Sequence, residues 1–244
     1  MHNDYLSEKI LKKFPNPTEI VNVYSKSIFA DFYHATTDRN AFYNDLDFFR
    51  KEISKTDLTI ELASGTGRIL CPLLDEGFNM LGIEKEKSMI NVMSSKYRKF
   101  VINNDIFNFE ENRNIYKKAH CFIIPATSIS LFSLDQIKIL FEYIVSVNNN
   151  FSVIFDIIDI NSLIVDPPKK IVNNQGLFYY TNFTKNDFII YNLYHVNSNS
   201  IGFSFKYNHS LERLKQVLSA IGFEITLSKI DLDYFMVKAV YENE

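Results

Sequence analysis

The chain has 244 residues, of which 46% are hydrophobic and 15% aromatic, and it contains no tryptophan. This composition excludes disordered and fibrous proteins and is sufficient to bury a large core. The formal net charge is −3, so no broad cationic surface is expected, which argues against nucleic acid as a partner.

The cysteine content and the N-terminus point to a reducing compartment. Cys71 and Cys121 both lie in apolar runs, which favours core positions over a disulfide or a metal site. The N-terminus has no long apolar stretch, and no run approaches the ~18 apolar residues of a membrane span. We therefore expect a cytoplasmic protein without a signal peptide or membrane partner.

The first part of the chain, residues 1–55, is predicted to form an N-terminal helical lid. Apolar residues recur at helical spacing in three pieces, ending with helices over about 18–33 and 39–53. The sequence PNP at 15–17 ends the first piece, because proline cannot continue a helix.

Strands then alternate with helices over residues 56–160. The predicted strands are LTIEL, NMLGIE, KFVIN, CFIIPA and FSVIFDII, and the predicted helices are GRILCPLLDEG, KSMINVMSSK and LDQIKILFEYIVSV. This alternation predicts an α/β fold with a doubly wound, Rossmann-like sheet that is mostly parallel.

Residues 161–208 are predicted to form an antiparallel β cap inserted into this core. The segment IVDPPKK is expected to be a loop, since the proline pair forbids a central strand. Three aromatic and β-branched runs follow, namely GLFYYTNF, DFIIYNLYHV and IGFSFKY, and they predict a meander. Residues 209–244 then complete the core with a helix capped by Ser210 and Gly222 and a terminal antiparallel hairpin.

The turn between the first core strand and its helix, in TIELASGTGRIL, is typical of a nucleotide site. Gly65 and Gly67 allow the backbone to pass close to a ligand, and the following helix begins with free N–H groups. A dinucleotide fingerprint requires a third glycine where this chain has Leu70. The NAD interpretation is therefore weakened.

Three acidic residues change the interpretation of this turn. Glu61 ends the first core strand, where a carboxylate repels a pyrophosphate and attracts an ammonium. Glu84 ends the second strand, where it can accept hydrogen bonds from both hydroxyls of a ribose. Asp105 follows the third strand, within reach of an adenine amino group. A ligand with an ammonium, a ribose, an adenine and no phosphate is S-adenosylmethionine (SAM).

Three segments then resemble the motifs of class I SAM-dependent methyltransferases that act on small molecules. ELASGTGR is similar to their glycine-rich first motif, GIEKEKSMI to the second and NNDIFNF to the third. The resemblance extends over about residues 24–241. It implies that Glu61 and the turn hold the methionine portion, that Glu84 holds the ribose, and that Tyr24 and Tyr33 close over the sulfonium.

The resemblance implies a full set of SAM-binding residues, with two departures from the usual pattern. Ala63 replaces the usual first glycine, which is tolerable if its φ is negative, and His34 replaces a common aspartate of the lid. The residues expected to bind SAM are Tyr24, Tyr33, Glu61, Ala63, Gly65, Gly67, Arg68, Glu84, Lys85, Met89, Asn104, Asp105, Ile106 and Ala126.

The predicted catalytic residues are Tyr33, Thr127 and His195. Methyl transfer needs alignment and exclusion of water more than a strong base. Thr127 lies at the mouth of the site, where it can orient a substrate, and His195 is the one histidine of the cap placed to act as a general base. A surface or core position remains the alternative for His195.

The ends of the core strands argue against two other chemistries. The fourth strand ends in IIPATSIS, so the N/D-P-P-Y signature of enzymes that methylate nucleic-acid amines is absent. Asp156 after the fifth strand stands nearly alone, so no catalytic metal is expected.

These observations predict a SAM-dependent methyltransferase acting on an amine, hydroxyl or carboxylate of a small molecule, as a monomer or homodimer. Two alternatives stay open. One is an enzyme that uses SAM itself in a cyclisation or alkyl transfer releasing methylthioadenosine, and the other is a SAM-binding protein without catalysis.

Overall fold

A computed structural model of the chain describes residues 5–37, 41–158 and 163–243. The helices are α1 Glu8–Lys13, α2 Ser27–Thr36, α3 Ala41–Glu52, α4 Leu70–Asp75, α5 Lys87–Val92, α6 Ser95–Arg98, α7 Phe109–Lys118, α8 Leu134–Val147 and α9 Leu211–Ile221. The strands are β1 Glu19–Asn22, β2 Thr59–Leu62, β3 Met80–Glu84, β4 Val101–Asn103, β5 Cys121–Ile124, β6 Asn150–Ile158, β7 Val165–Asn173, β8 Gly176–Lys185, β9 Phe188–His195, β10 Ser200–Tyr207, β11 Glu224–Asp231 and β12 Tyr234–Glu242.

The larger of two sheets has seven strands in the order β11-β12-β6-β5-β2-β3-β4. Strands β2 to β6 pair in parallel, while β12 runs antiparallel to both β6 and β11. The short strands β2 and β5 are buried along their whole length, as expected for parallel strands covered on both faces. The predicted Rossmann-like sheet with a C-terminal antiparallel hairpin is confirmed.

Helices cover both faces of this sheet. On one face, α8 and α9 bury Phe141 and Leu218 against Phe151 of β6. On the other face, α3 and α4 bury Phe49 and Leu73 against the opposite side chains of the strands. The apolar core therefore lies in two layers, one on each side of the sheet.

The helix ends agree with the predicted caps. Ser210 accepts a hydrogen bond from the Arg213 amide at the start of α9, and Gly222 ends that helix with φ +110°. Ser133 and Gln136 form a capping box at the start of α8.

The smaller sheet has five strands in the order β1-β10-β9-β8-β7. Strands β8, β9 and β10 form the predicted antiparallel meander. The predicted helix over about 18–33 is wrong in its first half, since Glu19–Asn22 pairs in parallel with β10 and the helix begins at Ser27. The sheet thus joins the predicted lid to the predicted cap.

The segment IVDPPKK was expected to be a loop, and this expectation is wrong. Most of it belongs to β7, Val165–Asn173, whose register against β8 shifts between Val165 and Lys169. Because β7 is an edge strand, Pro167 and Pro168 need not donate to a second neighbour, so only a central position was forbidden. The predicted boundary at 160/161 and the start of the predicted helix over 39–53 lie outside the described residues.

Candidate active site

A cavity of about 310 Å³ lies at the carboxyl ends of the parallel strands, where doubly wound sheets bind ligands. Its volume is within the usual range of small-molecule sites, roughly 300–1,000 Å³. It brings together most of the predicted SAM-binding residues: Tyr24, Tyr33, Ala63, Gly65, Glu84, Lys85, Met89, Asn104, Asp105, Ile106 and Ala126.

The glycine turn that follows β2 has three left-handed residues, with φ of +55° at Ala63, +56° at Gly65 and +76° at Gly67. The negative φ that would make alanine tolerable at position 63 is therefore not found. Gly67 does not line the cavity. A Cβ atom there would lie 2.5 Å from the Cys71 sulfur, so this glycine permits close packing of α4.

Glu84 ends β3 and is held in place by the turn. Its Oε2 accepts a hydrogen bond from the Gly65 amide at 2.8 Å, and its Oε1 accepts one from the Glu86 amide at 2.8 Å. Burial raises the pKa of this carboxyl, and the two amides oppose the rise. Each oxygen keeps a second lone pair, so Glu84 can still accept from a diol in the cavity.

Glu61 lies beside a smaller space of about 30 Å³ that shares Tyr33, Ala63 and Gly65 with the main cavity. Its side chain is buried, and its Oε2 atom has no hydrogen-bond partner. Burial raises the pKa of Glu61 to about 8, although the guanidinium of Arg68 opposes the rise. A buried carboxylate oxygen without a hydrogen-bond partner is costly, and a ligand ammonium would satisfy it.

Arg68 lines the same small space, but its guanidinium is engaged within the protein. It forms two hydrogen bonds to the Asp45 carboxylate of α3, at 2.7 Å and 2.5 Å. Both side chains are buried. Arg68 therefore forms an ion pair with α3, in addition to its predicted contact with SAM.

The end of the cavity that is predicted to hold adenine is formed by the segment after β4. Asp105 Oδ1 accepts from the Phe107 amide at 2.9 Å, which fixes the turn. The Asn104 amide group donates to Asn112 and Glu111, so this side chain holds the segment to α7. Buried Ile106 and Met89 supply apolar walls of the cavity.

The lid tyrosines meet over the cavity. Tyr24 and Tyr33 are half-buried, and their ring centroids lie 6.5 Å apart in an edge-to-face arrangement. Burial raises the pKa of both hydroxyls, so both stay neutral. The Ser88 hydroxyl donates to the Tyr24 carbonyl, which ties this lid to α5.

A second cavity, of about 240 Å³, lies between α2 and the five-stranded sheet. Four residues line both cavities, namely Tyr24, Tyr33, Ser204 and Lys206. Neither Ser204 nor Lys206 is among the residues predicted from the sequence. The available signal was Gly202 on the same face of β10, because a Cβ there would lie 2.9 Å from the Phe29 ring of α2.

Lys206 has an unusual environment for a lysine. Its ammonium donates to the Ala126 carbonyl at 3.0 Å and to the Thr127 hydroxyl. Burial lowers the pKa of Lys206 to about 8, and the attraction of Asp156 opposes the decrease.

The other two predicted catalytic residues do not line either cavity. Thr127 is buried, and it contacts the cavities through Lys206. His195 lies on the same face as Tyr191 but four residues further along β9, a distance of about 13 Å. Its ring nitrogens contact the Ser198 hydroxyl at 2.7 Å and the Gln175 carbonyl at 3.2 Å. His195 is therefore not among the residues that line either cavity.

Residues 5–37, 41–158 and 163–243 contain no group of three or more His, Cys, Asp or Glu side chains that could hold a metal ion. Within the same ranges, no helix has both the length and the apolar character needed to cross a membrane.

Comparison with known proteins gives similarity at the level of structure. No protein-family model matches the chain, and no curated protein matches its sequence. A SAM-dependent methyltransferase from Clostridium acetobutylicum superposes with a TM-score of 0.68 at 15% identity, covering 88% of this chain and 98% of the other. A sugar N-methyltransferase from Streptoalloteichus gives 0.66 at 14%, covering 88% and 93%. An amino pentose methyltransferase from Micromonospora echinaspora gives 0.57 at 9%, covering 86% and 94%. The chain therefore has the fold of the class I SAM-dependent methyltransferases.

Proposed function

We propose that the protein is a SAM-dependent methyltransferase that acts on a small molecule. The observation that carries the proposal is the row of carboxylates along one edge of the sheet. Glu61 lies near the end of β2, Glu84 ends β3 and Asp105 follows β4, in the order in which an ammonium, a ribose and an adenine occur in SAM. The buried Glu61 oxygen without a partner supports the ammonium end of this assignment.

The proposed roles of the chain's own residues follow from their contacts. Glu61 binds the ammonium, and the Ala63–Gly67 turn lets the backbone approach the methionine portion. Glu84 holds the ribose, and Asp105 with Ile106 holds the adenine edge. Tyr24 and Tyr33 cover the reacting end and exclude water from it. Bound SAM supplies a methyl group that its sulfonium already activates for attack.

One incubation tests this proposal. The protein is mixed with SAM, with and without candidate acceptors, and the products are identified by mass spectrometry. S-adenosylhomocysteine formed only in the presence of an acceptor supports methyl transfer. Methylthioadenosine formed without an acceptor contradicts it and favours a reaction of SAM itself, and a lack of SAM binding by calorimetry contradicts the SAM site.

A further inference from the structure

The second cavity has the composition of a site for an apolar molecule. Its walls are mostly aliphatic and aromatic side chains, supplied by α2 and the residue after β1 on one side and by β9 on the other: Phe29, Phe32, Val23, Ile189, Tyr191 and Leu193. A planar or aromatic body is well suited to such walls, because ring–ring contacts add to burial. Thr36, Thr37 and Asn182 supply polar groups at its border.

Polar groups separate this cavity from the one assigned to SAM. Tyr24, Tyr33, Ser204 and Lys206 line both spaces, so each can contact a molecule on either side. An acceptor in the second cavity would therefore present its reactive atom to the reacting end of SAM at this boundary. Alignment of this kind is the main contribution that a protein makes to a displacement reaction.

A lysine lies at this boundary. Among the described residues that line the second cavity, Lys206 is the one charged side chain. Its hydrogen bonds go to the neutral oxygens of Ala126 and Thr127. The Asp156 carboxylate attracts it without a hydrogen bond between them: Asp156 Oδ2 accepts from the Thr127 amide and the Tyr234 hydroxyl, both at 2.8 Å, and among the described residues its Oδ1 has no partner.

A lysine ammonium has three N–H groups, and two of those of Lys206 are used by Ala126 and Thr127. Within residues 5–37, 41–158 and 163–243 no acceptor takes the third, which can therefore be donated to a ligand oxygen. An anionic oxygen gains from the positive charge in this poorly hydrated space, whereas an ammonium is repelled by it.

We propose that the second cavity is the acceptor site and that it takes a small molecule with an apolar body and an anionic oxygen, a carboxylate or a phenolate, held by Lys206. This inference rests on the proposed methyltransferase function and narrows its acceptor class. It excludes an acceptor that binds as an ammonium.

The reaction is balanced without a further reactant. A lone pair of the anionic oxygen forms the new O–CH₃ bond, and the S–CH₃ bond breaks with its electron pair remaining on sulfur. The anion and the sulfonium become a neutral ester or ether and a neutral thioether. No proton moves in this step, so Lys206 acts by holding the oxygen and stabilising its charge until the methyl group is transferred.

The test compares three compounds on one aromatic body: benzoate, 4-nitrophenol and benzylamine. Binding to the protein loaded with S-adenosylhomocysteine is measured by saturation-transfer NMR, and methylated products are measured with SAM by mass spectrometry. The variants are Lys206→Met and, as a matched control, Lys170→Met, which changes an exposed lysine of the same sheet.

We expect benzoate or 4-nitrophenol to bind and benzylamine to fail. Lys206→Met should weaken binding of the anion at least about thirtyfold, as expected when one partner of a buried charge pair is removed. It should change the affinity for S-adenosylhomocysteine by a much smaller factor than the affinity for the anion, and Lys170→Met should change neither. Comparison of benzoate with 4-nitrophenol then distinguishes a carboxylate acceptor from a phenolate acceptor.

Three results would overturn the inference: preferential binding of benzylamine, unchanged anion binding in Lys206→Met, or no binding of any of the three compounds. The preference of the unmodified protein decides the question even if Lys206→Met does not fold. Failure of the methyltransferase proposal is a separate result, because it appears as absent SAM binding or as release of methylthioadenosine.

Discussion

The guanidinium of Arg68 and the carboxylate of Asp45 form a two-pronged ion pair, with N–O distances of 2.7 Å and 2.5 Å. The pair connects α3 to the segment directly after the glycine turn. The Asp45 side chain is fully buried and that of Arg68 nearly so. Burial raises the pKa of Asp45, and Arg68 opposes the rise, so the ionised carboxylate depends on this partner.

We therefore expect Asp45→Asn to lower the free energy of unfolding by roughly 3–5 kcal/mol, since a buried cation loses its counter-charge. Urea denaturation followed by circular dichroism measures the change. The double variant Asp45→Leu, Arg68→Met removes both charges and should recover much of the loss. A loss below about 1 kcal/mol in Asp45→Asn would mean that the pair behaves like an exposed ion pair.

A second prediction concerns the strained alanine of the turn. Ala63 has φ +55°, a conformation that costs an L-residue roughly 1–2 kcal/mol and glycine much less. Ala63→Gly should raise the free energy of unfolding by about 0.5–1 kcal/mol after the greater chain entropy of glycine is subtracted. Ala30→Gly, in the middle of α2, is the matched control and should lower it by about 1 kcal/mol. A decrease in Ala63→Gly would show that the turn is not strained there.

The seven-stranded sheet was predictable because its strands are continuous apolar runs separated by helices of clear period. The strand β1 was not, since four residues such as EIVN fit a strand or the start of a helix equally well. Pairing with β10, in which each residue meets a partner 181 positions further along the chain, decides between them. Helix α7 was also not selected, because it buries only Asn112 and Tyr116 and shows little apolar periodicity.

Lys206 was missed for a related reason. Along β10, Phe203 and Phe205 alternate with Ser204 and Lys206, a pattern that marks the phenylalanines as the inner face and the lysine as solvent-facing. In the structure both faces are covered. Tyr5 stacks on the two phenylalanines. On the opposite face, Ser204 and Lys206 line the cavity between the sheet and α2. Whether the second face is covered depends on tertiary packing, which the alternation of residues in one strand cannot reveal.

The third prediction tests the proposed ribose contact. Glu84→Ala should weaken SAM binding by roughly 1–3 kcal/mol, because it removes charged hydrogen-bond acceptors from the cavity. Isothermal titration calorimetry measures the affinity. Glu110→Ala, at an exposed position on α7, is the control and should bind SAM normally. Unchanged affinity in folded Glu84→Ala would refute the assignment.

The fourth prediction follows from the pKa of Glu61, which burial raises to about 8. At pH 7 the carboxyl is then mostly protonated in the free protein, and a bound ammonium favours its ionised form. SAM binding should therefore release roughly half a proton or more per site and should tighten as the pH rises from about 6 to 8. The release is read from the dependence of binding enthalpy on the ionisation enthalpy of the buffer.

Glu61→Gln is the control for this coupling, since it keeps the shape of the side chain and cannot titrate. The buffer dependence should disappear in that variant, and its SAM affinity should be lower at pH 8. Proton uptake, or a buffer dependence equal in both proteins, would place the ammonium elsewhere.

The last prediction is that Lys206 lowers stability at neutral pH. Burial lowers the pKa of Lys206 to about 8, whereas an unfolded lysine has a pKa of about 10.4. Below about pH 8 the lysine is protonated in both states, and the folded protein carries the full cost of burying an ammonium. Between about pH 8 and 10.4 the folded state has released its proton first, so the cost falls.

Lys206→Met should therefore raise the free energy of unfolding at pH 7, and the gain should shrink as the pH approaches 10. Asp156 reduces the gain, because its attraction to Lys206 is lost in the variant. Urea denaturation at both pH values measures the difference, with Lys170→Met expected to change little at either. If Lys206→Met is less stable than the unmodified protein at pH 7, or if its gain in stability grows with pH, then Lys206 stabilises the fold. A stabilised variant that no longer binds the anionic acceptor would instead mean that this lysine is kept for binding at a cost to the fold.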